Sequence, residues 1–259
     1  MRLSSRWSLL PMLLLCVQPL LAGGIAPQDR TMLVRELNSG EQWQWNSARA
    51  PSRYSPCSTF KIPNALIGLE NGTISLQRNE RGYSFIVDPN QPWWPEGWAM
   101  KQNLRDALRR STVWYFQGLA RAVGLPTYQR WLRHFRYGNE NTTGGVDQFW
   151  LGDSLRISAI EQMGFVSRLE QEQLGVRPEY TRAVTDALVL EHGEDWRWWG
   201  KTGLCLGHDG RPLGWLVGAV ERPGKTWVYA VNASAADWDS VRQGRVELAR
   251  QALQAAGAL

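Results

Sequence analysis

Apolar residues recur at helical spacing through the middle of the chain and alternate with polar residues near its two ends. Residues 31–37 and 42–46 alternate around Asn38-Ser39-Gly40, which predicts a β-hairpin. Alternation late in the chain predicts strands over residues 196–204, 214–221 and 226–232. Helical spacing predicts helices over residues 58–71, 103–110, 114–123, 126–135, 158–174, 178–191 and 239–256. The turn-rich stretches are predicted loops, over residues 73–100 and 137–153.

The order of these elements is two strands, a long helical block, three strands and a closing helix. This order predicts an α+β fold, in which an antiparallel sheet built from both ends of the chain is flanked by helices and a helical subdomain is inserted. A chain of 259 residues is long enough for one such domain. We expect the mixed part to comprise residues 27–57 and 192–259, the helical part to comprise residues 58–191, and a cleft to form at the seam.

The first 26 residues have the pattern of a secretory signal peptide. Arg2 and Arg6 precede an apolar run over residues 9–21, and small residues follow it. The run is short for a membrane span, and Leu15 before Cys16 argues against a lipid-anchored start. We therefore expect residues 1–26 to be removed, the protein to be periplasmic, and no membrane attachment to remain.

Charge and metal-ligand content exclude several classes of function. The formal net charge of +5 falls to about +3 without Arg2 and Arg6, and the basic residues are scattered, so no nucleic-acid partner is expected. Only three histidines occur, and the cysteines have no metal-ligand spacing, so no metal site is expected. A catalytic triad based on histidine is equally short of candidates. The fifteen tryptophans are expected in the core or in the walls of a cleft.

Ser58 and Lys61 stand three residues apart at the head of an apolar helical run. Residues at this spacing share a helix face, so the hydroxyl and the amine can meet. A serine becomes a strong nucleophile only when a base takes its proton, and a lysine can do so only when it is uncharged. Burial among residues such as Phe60 and Ile62 would favour the uncharged amine. A helix N-cap followed by an exposed lysine is the ordinary alternative.

Two further motifs carry polar side chains to places where a cleft would form. Ser111-Thr112-Val113 falls at a break between two predicted helices, and Lys201-Thr202-Gly203 lies on a predicted strand. A cation and a hydroxyl on that strand suit a substrate carboxylate, and the glycine allows close backbone approach. Each motif alone favours a structural role, the first as a helix N-cap and the second as an edge strand with a protective lysine.

Taken together, the motifs resemble the active-site set of the penicillin-recognising serine enzymes, and in detail that of the class D β-lactamases (oxacillinases). The short motifs are Ser58-x-x-Lys61, Ser111-Thr112-Val113, Tyr137-Gly138-Asn139 and Lys201-Thr202-Gly203. The longer strings are Ser58-Thr59-Phe60-Lys61-Ile62-Pro63-Asn64-Ala65, Phe149-Trp150-Leu151, Leu155-Arg156-Ile157-Ser158-Ala159 and Gly214-Trp215-Leu216-Val217-Gly218. The resemblance covers residues 31–256 and implies the β-lactamase/penicillin-binding-protein-like fold.

The resemblance implies hydrolysis of β-lactam antibiotics through a covalent acyl-enzyme on Ser58. Lys61 is implied to carry a carbamate, made from carbon dioxide or bicarbonate, that serves as base for acylation and deacylation. Trp150 would donate its indole N–H to that carbamate, while Val113 and Leu151 keep the site dry. No bound cofactor is implied. Penicillins are the expected substrates, with cephalosporins or carbapenems left open, and the protein would be a monomer or a homodimer.

The remaining roles also come from the resemblance. Ser111 would relay a proton to the lactam nitrogen, and the backbone N–H groups of Ser58 and Leu204 would form the oxyanion hole. Lys201 and Thr202 would bind near the substrate carboxylate.

A carboxylate-binding arginine is expected at Arg245, with Arg242 as the competing assignment. Gly203 is expected to give the substrate access to the strand. This chain departs from the family pattern at Gly152-Asp153, where an acidic residue often comes before the glycine, and at Ala219, where many relatives carry tryptophan.

Cys57 and Cys205 each adjoin a residue of the implied oxyanion hole, which suggests that they are close in space. An exported protein meets an oxidising compartment. The sequence therefore gives two alternatives, a disulfide beside the active site or two buried thiols.

Three other functions share parts of the pattern. A D,D-peptidase or other penicillin-binding protein would hold the acyl group far longer, and a sensor domain would remain acylated. A degenerate binder would keep the fold without turnover, which the presence of Ser58, Lys61, Ser111 and Lys201 disfavours.

Overall fold

The computed structural model describes residues 24–82, 95 and 97–259. The secretory signal predicted over residues 1–26 lies almost entirely outside this range, as does much of the predicted loop over residues 73–100, including Trp93 and Trp94. No helix in the described ranges is both long enough and apolar enough to cross a bilayer.

A six-stranded antiparallel sheet is formed by the described residues. Its strands are β1 (Arg30–Glu36), β2 (Gln42–Trp45), β3 (Val189–His192), β4 (Arg197–Leu206), β5 (Pro212–Arg222) and β6 (Lys225–Ser234). They lie in the order β2-β1-β6-β5-β4-β3. Because β1 pairs with β6, the first and last strands of the chain are neighbours, with Met32 opposite Val231. The predicted α+β fold, with its sheet built from both ends of the chain, is confirmed.

Seven α-helices accompany the sheet in the described ranges. They are α1 (Lys61–Glu70), α2 (Leu104–Arg109), α3 (Val113–Val123), α4 (Leu125–Phe135), α5 (Ala159–Glu170), α6 (Pro178–Asp186) and α7 (Trp238–Ala255). The first six follow one another between β2 and β3, and α7 closes the chain. A short 3₁₀ turn, Cys57–Phe60, leads directly into α1.

The sheet separates two hydrophobic cores, and β5 contributes to both. Trp215 and Val217 pack in the larger core, which also contains the buried faces of α1, α3, α4 and α5. Leu216 and Val220 pack in the smaller core against α7. Successive side chains of a strand point to opposite faces, so a strand covered on both sides is apolar throughout. This explains why β5 is buried over nine successive residues.

Helix α1 is buried on every side rather than on one face. All residues from Lys61 to Leu69 are buried, and Pro63 occupies the first turn, where its missing N–H costs no hydrogen bond. A helix buried all round lies at the centre of a domain. Its first residue, Lys61, is therefore carried into the interior by the packing of the rest of the helix.

One element differs from its prediction. The helix predicted over residues 178–191 ends at Asp186, and Val189–His192 form β3 instead. Val189 pairs with Trp199 of β4, so tertiary pairing with the sheet overrides the local helical pattern. The start of α5 agrees with its prediction, because Ser158 and Glu161 form the expected capping box.

Leu253 on α7 provides a test of the smaller core. The side chain is fully buried, so Leu253→Ala is expected to lower the free energy of unfolding by about 2–5 kcal/mol through lost burial and a residual cavity. Exposed Gln254 is the neighbouring control, and Gln254→Ala is expected to change the free energy of unfolding by less than about 0.5 kcal/mol. Urea unfolding measures both, and equal losses would contradict this account of the core.

Candidate active site

Ser58 and Lys61 meet at the junction of the 3₁₀ turn and α1. The Oγ atom of Ser58 lies 2.6 Å from Nζ of Lys61. The turn enters this junction through Cys57, whose φ of +49° is in the left-handed region. Such a conformation is unfavourable for a non-glycine residue, by about 1–3 kcal/mol, and persists only where surrounding packing enforces it. The fold therefore holds the serine against the amine at the cost of local backbone strain.

The environment of Lys61 favours the uncharged amine. Its side chain is fully buried, and Nζ contacts the carbonyl oxygen of Ser111 at 2.8 Å and its Oγ at 3.1 Å. Burial, with a smaller contribution from the charge of Lys201, holds the pKa of the Lys61 amine well below its ordinary value. The positive end of the α1 dipole acts in the same direction, because Lys61 is the first residue of the helix. An uncharged amine has a lone pair that can accept the Ser58 proton.

Ser111 lies between two lysines at the break that separates α2 from α3. Its Oγ is 3.1 Å from Nζ of Lys61 and 2.9 Å from Nζ of Lys201. Its φ of +55° is in the left-handed region, which turns the side chain out of the helical path. The hydroxyl therefore connects both amines and can pass a proton between groups that contact it.

Lys201 and Arg245 place two buried cations beside β4. Burial, reinforced by the charge of Arg245, lowers the pKa of Lys201 to about 7. Burial, together with the charge of Arg242, lowers the pKa of Arg245 to about 10. The guanidinium of Arg245 donates to the carbonyl oxygen of Gly203, while its buried Nε has no hydrogen-bond partner among the described residues. An anion bound here would relieve both desolvated charges.

Arg242 occupies a different environment from Arg245. Its side chain is exposed and forms an ion pair with Asp239 at 2.8 Å. Of the two candidate arginines, only Arg245 contacts the β4 motif through Gly203. Thr202 is half-buried on the same strand.

Trp150 lies in the interior with an unused hydrogen-bond donor. The ring is fully buried and stacks on Phe60 with centroids 5.3 Å apart. Its Nε1 has no acceptor among the described residues, although buried indole N–H groups normally find one. Val113 and Leu151 are half-buried and pack against the same hydrophobic core. The site therefore combines apolar walls with one donor that lacks an acceptor.

Sequence reasoning left Asn139 without a role, and the structure supplies one. Its side chain donates to the carbonyl oxygen of Ser154 at 2.8 Å and accepts from the backbone N–H of Arg156 at 2.9 Å. Gly138 permits this close approach, because a Cβ there would lie 2.1 Å from the carbonyl oxygen of Arg156. The two residues close the base of the loop that carries Trp150. The preference of asparagine for backbone-binding turns was the available signal.

The turn and β4 are joined covalently. Cys57 and Cys205 form a disulfide, with their Cα atoms 5.8 Å apart. Of the two alternatives for these cysteines, the disulfide is therefore the one present. Gly203 lies against the same turn, where an added Cβ would be 3.0 Å from the carbonyl oxygen of Pro56. No group of histidine, cysteine, aspartate or glutamate residues in the described ranges could hold a metal ion.

A serine in contact with a buried lysine, a second serine between two lysines and a cationic strand beside them make up the arrangement expected of the penicillin-recognising serine enzymes. The family model for the penicillin binding protein transpeptidase domain matches residues 26–254. The chain is 34% identical over 204 residues to the probable β-lactamase YbxI of Bacillus subtilis (strain 168), covering 79% of this chain and 74% of that protein. It is 40% identical over 187 residues to β-lactamase OXA-10 of Pseudomonas aeruginosa, covering 71% and 68%.

Solved structures agree with these relatives. The class D β-lactamase FUS-1 (OXA-85) of Fusobacterium nucleatum subsp. polymorphum superposes with a TM-score of 0.82 at 31% identity, covering 89% of this chain and 93% of that one. The C-terminal domain of the Bacillus licheniformis BlaR penicillin-receptor superposes with a TM-score of 0.80 at 27% identity, covering 88% and 90%. The chain belongs to the class D family of serine β-lactamases, and it is accordingly an enzyme of the hydrolase class. The family expected from the motifs is confirmed.

The lowered pKa of Lys201 predicts how stability depends on pH. Between about pH 7 and the ordinary lysine pKa of ~10.4, the unfolded chain binds a proton at Lys201 that the folded protein lacks. The free energy of unfolding that this group contributes therefore increases as pH rises through this range. Lys201→Met removes that contribution. The stability of the wild type relative to this variant is therefore expected to increase from pH 7 to pH 9.5. Lys101→Met, at an exposed lysine, is expected to show no such trend. Thermal unfolding measured from pH 7 to pH 9.5 tests this expectation. If the stability of Lys201→Met and of the wild type changed with pH in parallel, the lowered pKa of Lys201 would be contradicted.

Proposed function

We propose that the protein hydrolyses β-lactam antibiotics through a covalent acyl-enzyme on Ser58, with carbamylated Lys61 as the general base. The observation that carries the proposal is the buried Lys61 amine, 2.6 Å from the Ser58 hydroxyl and with its pKa well below the ordinary value through burial and the charge of Lys201. A nucleophile and a base in hydrogen-bond contact are the minimum requirement for acyl transfer.

A carbamate on Lys61 fits the residues around it. Carbon dioxide combines only with an uncharged amine, and burial favours that form of Lys61. The carbamate needs hydrogen-bond donors in an apolar site, and buried Nε1 of Trp150 is a donor without an acceptor among the described residues. When present, the carbamate supplies the base that accepts the Ser58 proton and later activates the deacylating water. Val113 and Leu151 contribute the apolar surroundings that this chemistry requires.

Acylation then uses groups that already contact one another. Oγ of Ser58 attacks the lactam carbonyl carbon, and the backbone N–H groups of Ser58 and Leu204 stabilise the oxyanion that forms. The C–N bond of the ring breaks, and the lactam nitrogen takes a proton from the Ser111 hydroxyl. Ser111 is reprotonated from Lys201, whose Nζ lies 2.9 Å from its Oγ.

The carboxylate of a β-lactam matches the cationic side of the site. Lys201 and Arg245 are buried without a carboxylate partner among the described residues, and a bound anion would offset the cost of their desolvation. Thr202 can add a hydroxyl donor, whereas the space that Gly203 leaves is taken by the turn that carries Ser58 and not by substrate, because an added Cβ would lie 3.0 Å from the carbonyl oxygen of Pro56. This supports anionic β-lactams, with penicillins as the expected first substrates, and Arg245 as the carboxylate-binding arginine.

The alternatives differ in the fate of the acyl group. A penicillin-binding protein, or a sensor such as the BlaR receptor domain, would keep it on the serine. The identity to β-lactamase OXA-10 of 40% and the uncommitted donor on Trp150 favour hydrolysis. The Cys57–Cys205 disulfide also supports an exported protein, because disulfides persist in oxidising compartments such as the periplasm.

Replacing Lys61 tests the base directly. Lys61→Ala is expected to lower hydrolysis of a penicillin and a chromogenic cephalosporin by about a thousandfold or more, since it removes the general base. Added bicarbonate should raise wild-type turnover and leave the variant unchanged. Mass spectrometry of quenched wild-type reactions should find the acyl adduct on Ser58. A single burst with a stable adduct and no bicarbonate effect would instead identify a penicillin-binding protein or a sensor.

Trp150→Phe tests the donor to the carbamate. Loss of one hydrogen bond to a charged group, about 1.5–3 kcal/mol, should weaken carbon dioxide binding by about tenfold to a hundredfold. Activity should fall at low bicarbonate and recover as bicarbonate is raised. Trp198→Phe, which removes an indole N–H that donates to Tyr229 in the other core, is the matched control and should show no bicarbonate rescue. Equal rescue of both variants would contradict this role.

A further inference from the structure

We propose that the Cys57–Cys205 disulfide positions the two halves of the oxyanion hole relative to each other, so that cutting it slows acylation and deacylation together. This inference rests on the proposed acyl-enzyme mechanism at Ser58. The two cysteines are positioning residues rather than catalytic ones, because neither supplies a group to the reaction. Each cysteine is the chain neighbour of one proposed oxyanion donor, Cys57 of Ser58 and Cys205 of Leu204.

The turn that carries the first donor is strained at the cysteine itself. Cys57 adopts the left-handed backbone conformation, with φ of +49°. Its peptide bond to Ser58 contains the proposed donor N–H, so the Cys57 backbone torsion angles set the direction of that N–H. A residue in an unfavourable conformation relaxes unless something holds it. The side chain of Cys57 is held by the bond to Cys205.

The strand that carries the second donor is supported along one edge only. β3 pairs with β4 at Arg197, Trp198 and Trp199, and beyond Gly200 the only strand partner of β4 in the described residues is β5. Residues 201–206 therefore form an open edge, which ends at exposed Leu206. An open edge admits substrate, but its backbone is restrained by one ladder of hydrogen bonds instead of two. The disulfide fastens this edge near its free end.

Other links between the two segments do not restrain the donors in the same way. No hydrogen bond joins residues 55–60 directly to residues 201–206 in the described part of the chain. The polar chain from Ser58 through Lys61 and Ser111 to Lys201 connects side chains and not the two backbone N–H groups. Gly203 contacts the turn only by van der Waals packing. The disulfide is thus the direct bonded restraint on the separation of the donors.

Both chemical steps depend on this separation. Attack by Ser58 and attack by water each pass through a tetrahedral oxyanion that the same two donors stabilise. Loss of one such donor costs about 10²–10³ in rate, and a displacement near 1 Å can cost about a hundredfold. We expect about a tenfold to hundredfold fall in both rate constants when the restraint is lost. Substrate capture by Arg245 should change less.

Reduction by a dithiol such as dithiothreitol cuts the Cys57–Cys205 disulfide without any mutation. The dithiol thiolate attacks one sulfur, the S–S bond breaks, and the second thiol of the reagent closes its own disulfide and leaves two protein thiols. Cys57 is buried, whereas Cys205 is partly exposed, so attack is expected at the Cys205 sulfur.

The experiment compares oxidised wild type, reduced wild type and the double variant Cys57→Ala/Cys205→Ala. Acylation and deacylation rate constants and KM are measured separately, well below the unfolding temperature, with circular dichroism reporting the fold. In reduced wild type and in the double variant, the acylation and deacylation rate constants should fall by a similar factor, while the acyl adduct should still form on Ser58. Reoxidation should restore the wild type, and dithiothreitol should not affect the double variant. Should that variant fail to fold, reduced wild type gives the same comparison.

Leu253→Ala separates positioning from general destabilisation, because Leu253 lies on α7 in the smaller core, whereas Cys57 and the turn that carries it belong to the larger core. It is expected to lose stability while keeping both rate constants within about twofold. Retention of both rate constants after reduction would overturn the inference, and so would an equal loss in Leu253→Ala. If the oxidised wild type forms no adduct on Ser58, the mechanism of the proposed function fails and the inference fails with it. If the wild type turns over normally and reduction has no effect, only the role of the disulfide fails.

Discussion

The burial of one lysine without its charge is the constraint on which the rest of the site depends. Lys61 is the first residue of a helix that is buried on all sides, and its amine has only the carbonyl and hydroxyl of Ser111 and the Ser58 hydroxyl within hydrogen-bond distance among the described residues. A charged amine there would be costly, because no carboxylate in the described part of the chain neutralises it. The same packing that stabilises the domain therefore generates the base. The packing of α1 is thus the common physical cause of the stability of the core and of the reactivity of the Lys61 amine.

Burial also disfavours the positive charge of two other residues of the site, Lys201 and Arg245. Lys201 and Arg245 are also buried, and the charge of each cation disfavours protonation of its neighbour. Desolvated positive charge is unfavourable in the free protein and is relieved by an anion. Recognition of a carboxylate can thus draw on free energy that was stored when the protein folded. In the proposed scheme, buried lysines supply both the base and the cation that the reaction requires.

Much of this organisation could be predicted because it depends on local spacing. Ser58 and Lys61 are three residues apart, and helical geometry alone brings them together. The family motifs then identified Ser111, Trp150 and Lys201, which lie far apart in the chain. Spacing could not reveal the strand at residues 189–192, because that segment pairs only once β4 is present. Nor could it reveal the left-handed conformations of Cys57 and Ser111, which surrounding packing imposes on residues that do not prefer them.

The arrangement of sheet edges has a consequence for self-association. Both outer strands, β2 and β3, are only four residues long, and the pairing of β3 with β4 is irregular between Val189 and Glu191. Short or irregular edges are poor templates for adding a strand from another molecule. The longer stretch without a second strand partner in the described residues, 201–206, carries Lys201 and is joined to the turn of Ser58 by the Cys57–Cys205 disulfide. This edge thus carries a buried lysine and is linked to the neighbouring turn, which disfavours its use as a template by a strand from a second protein chain.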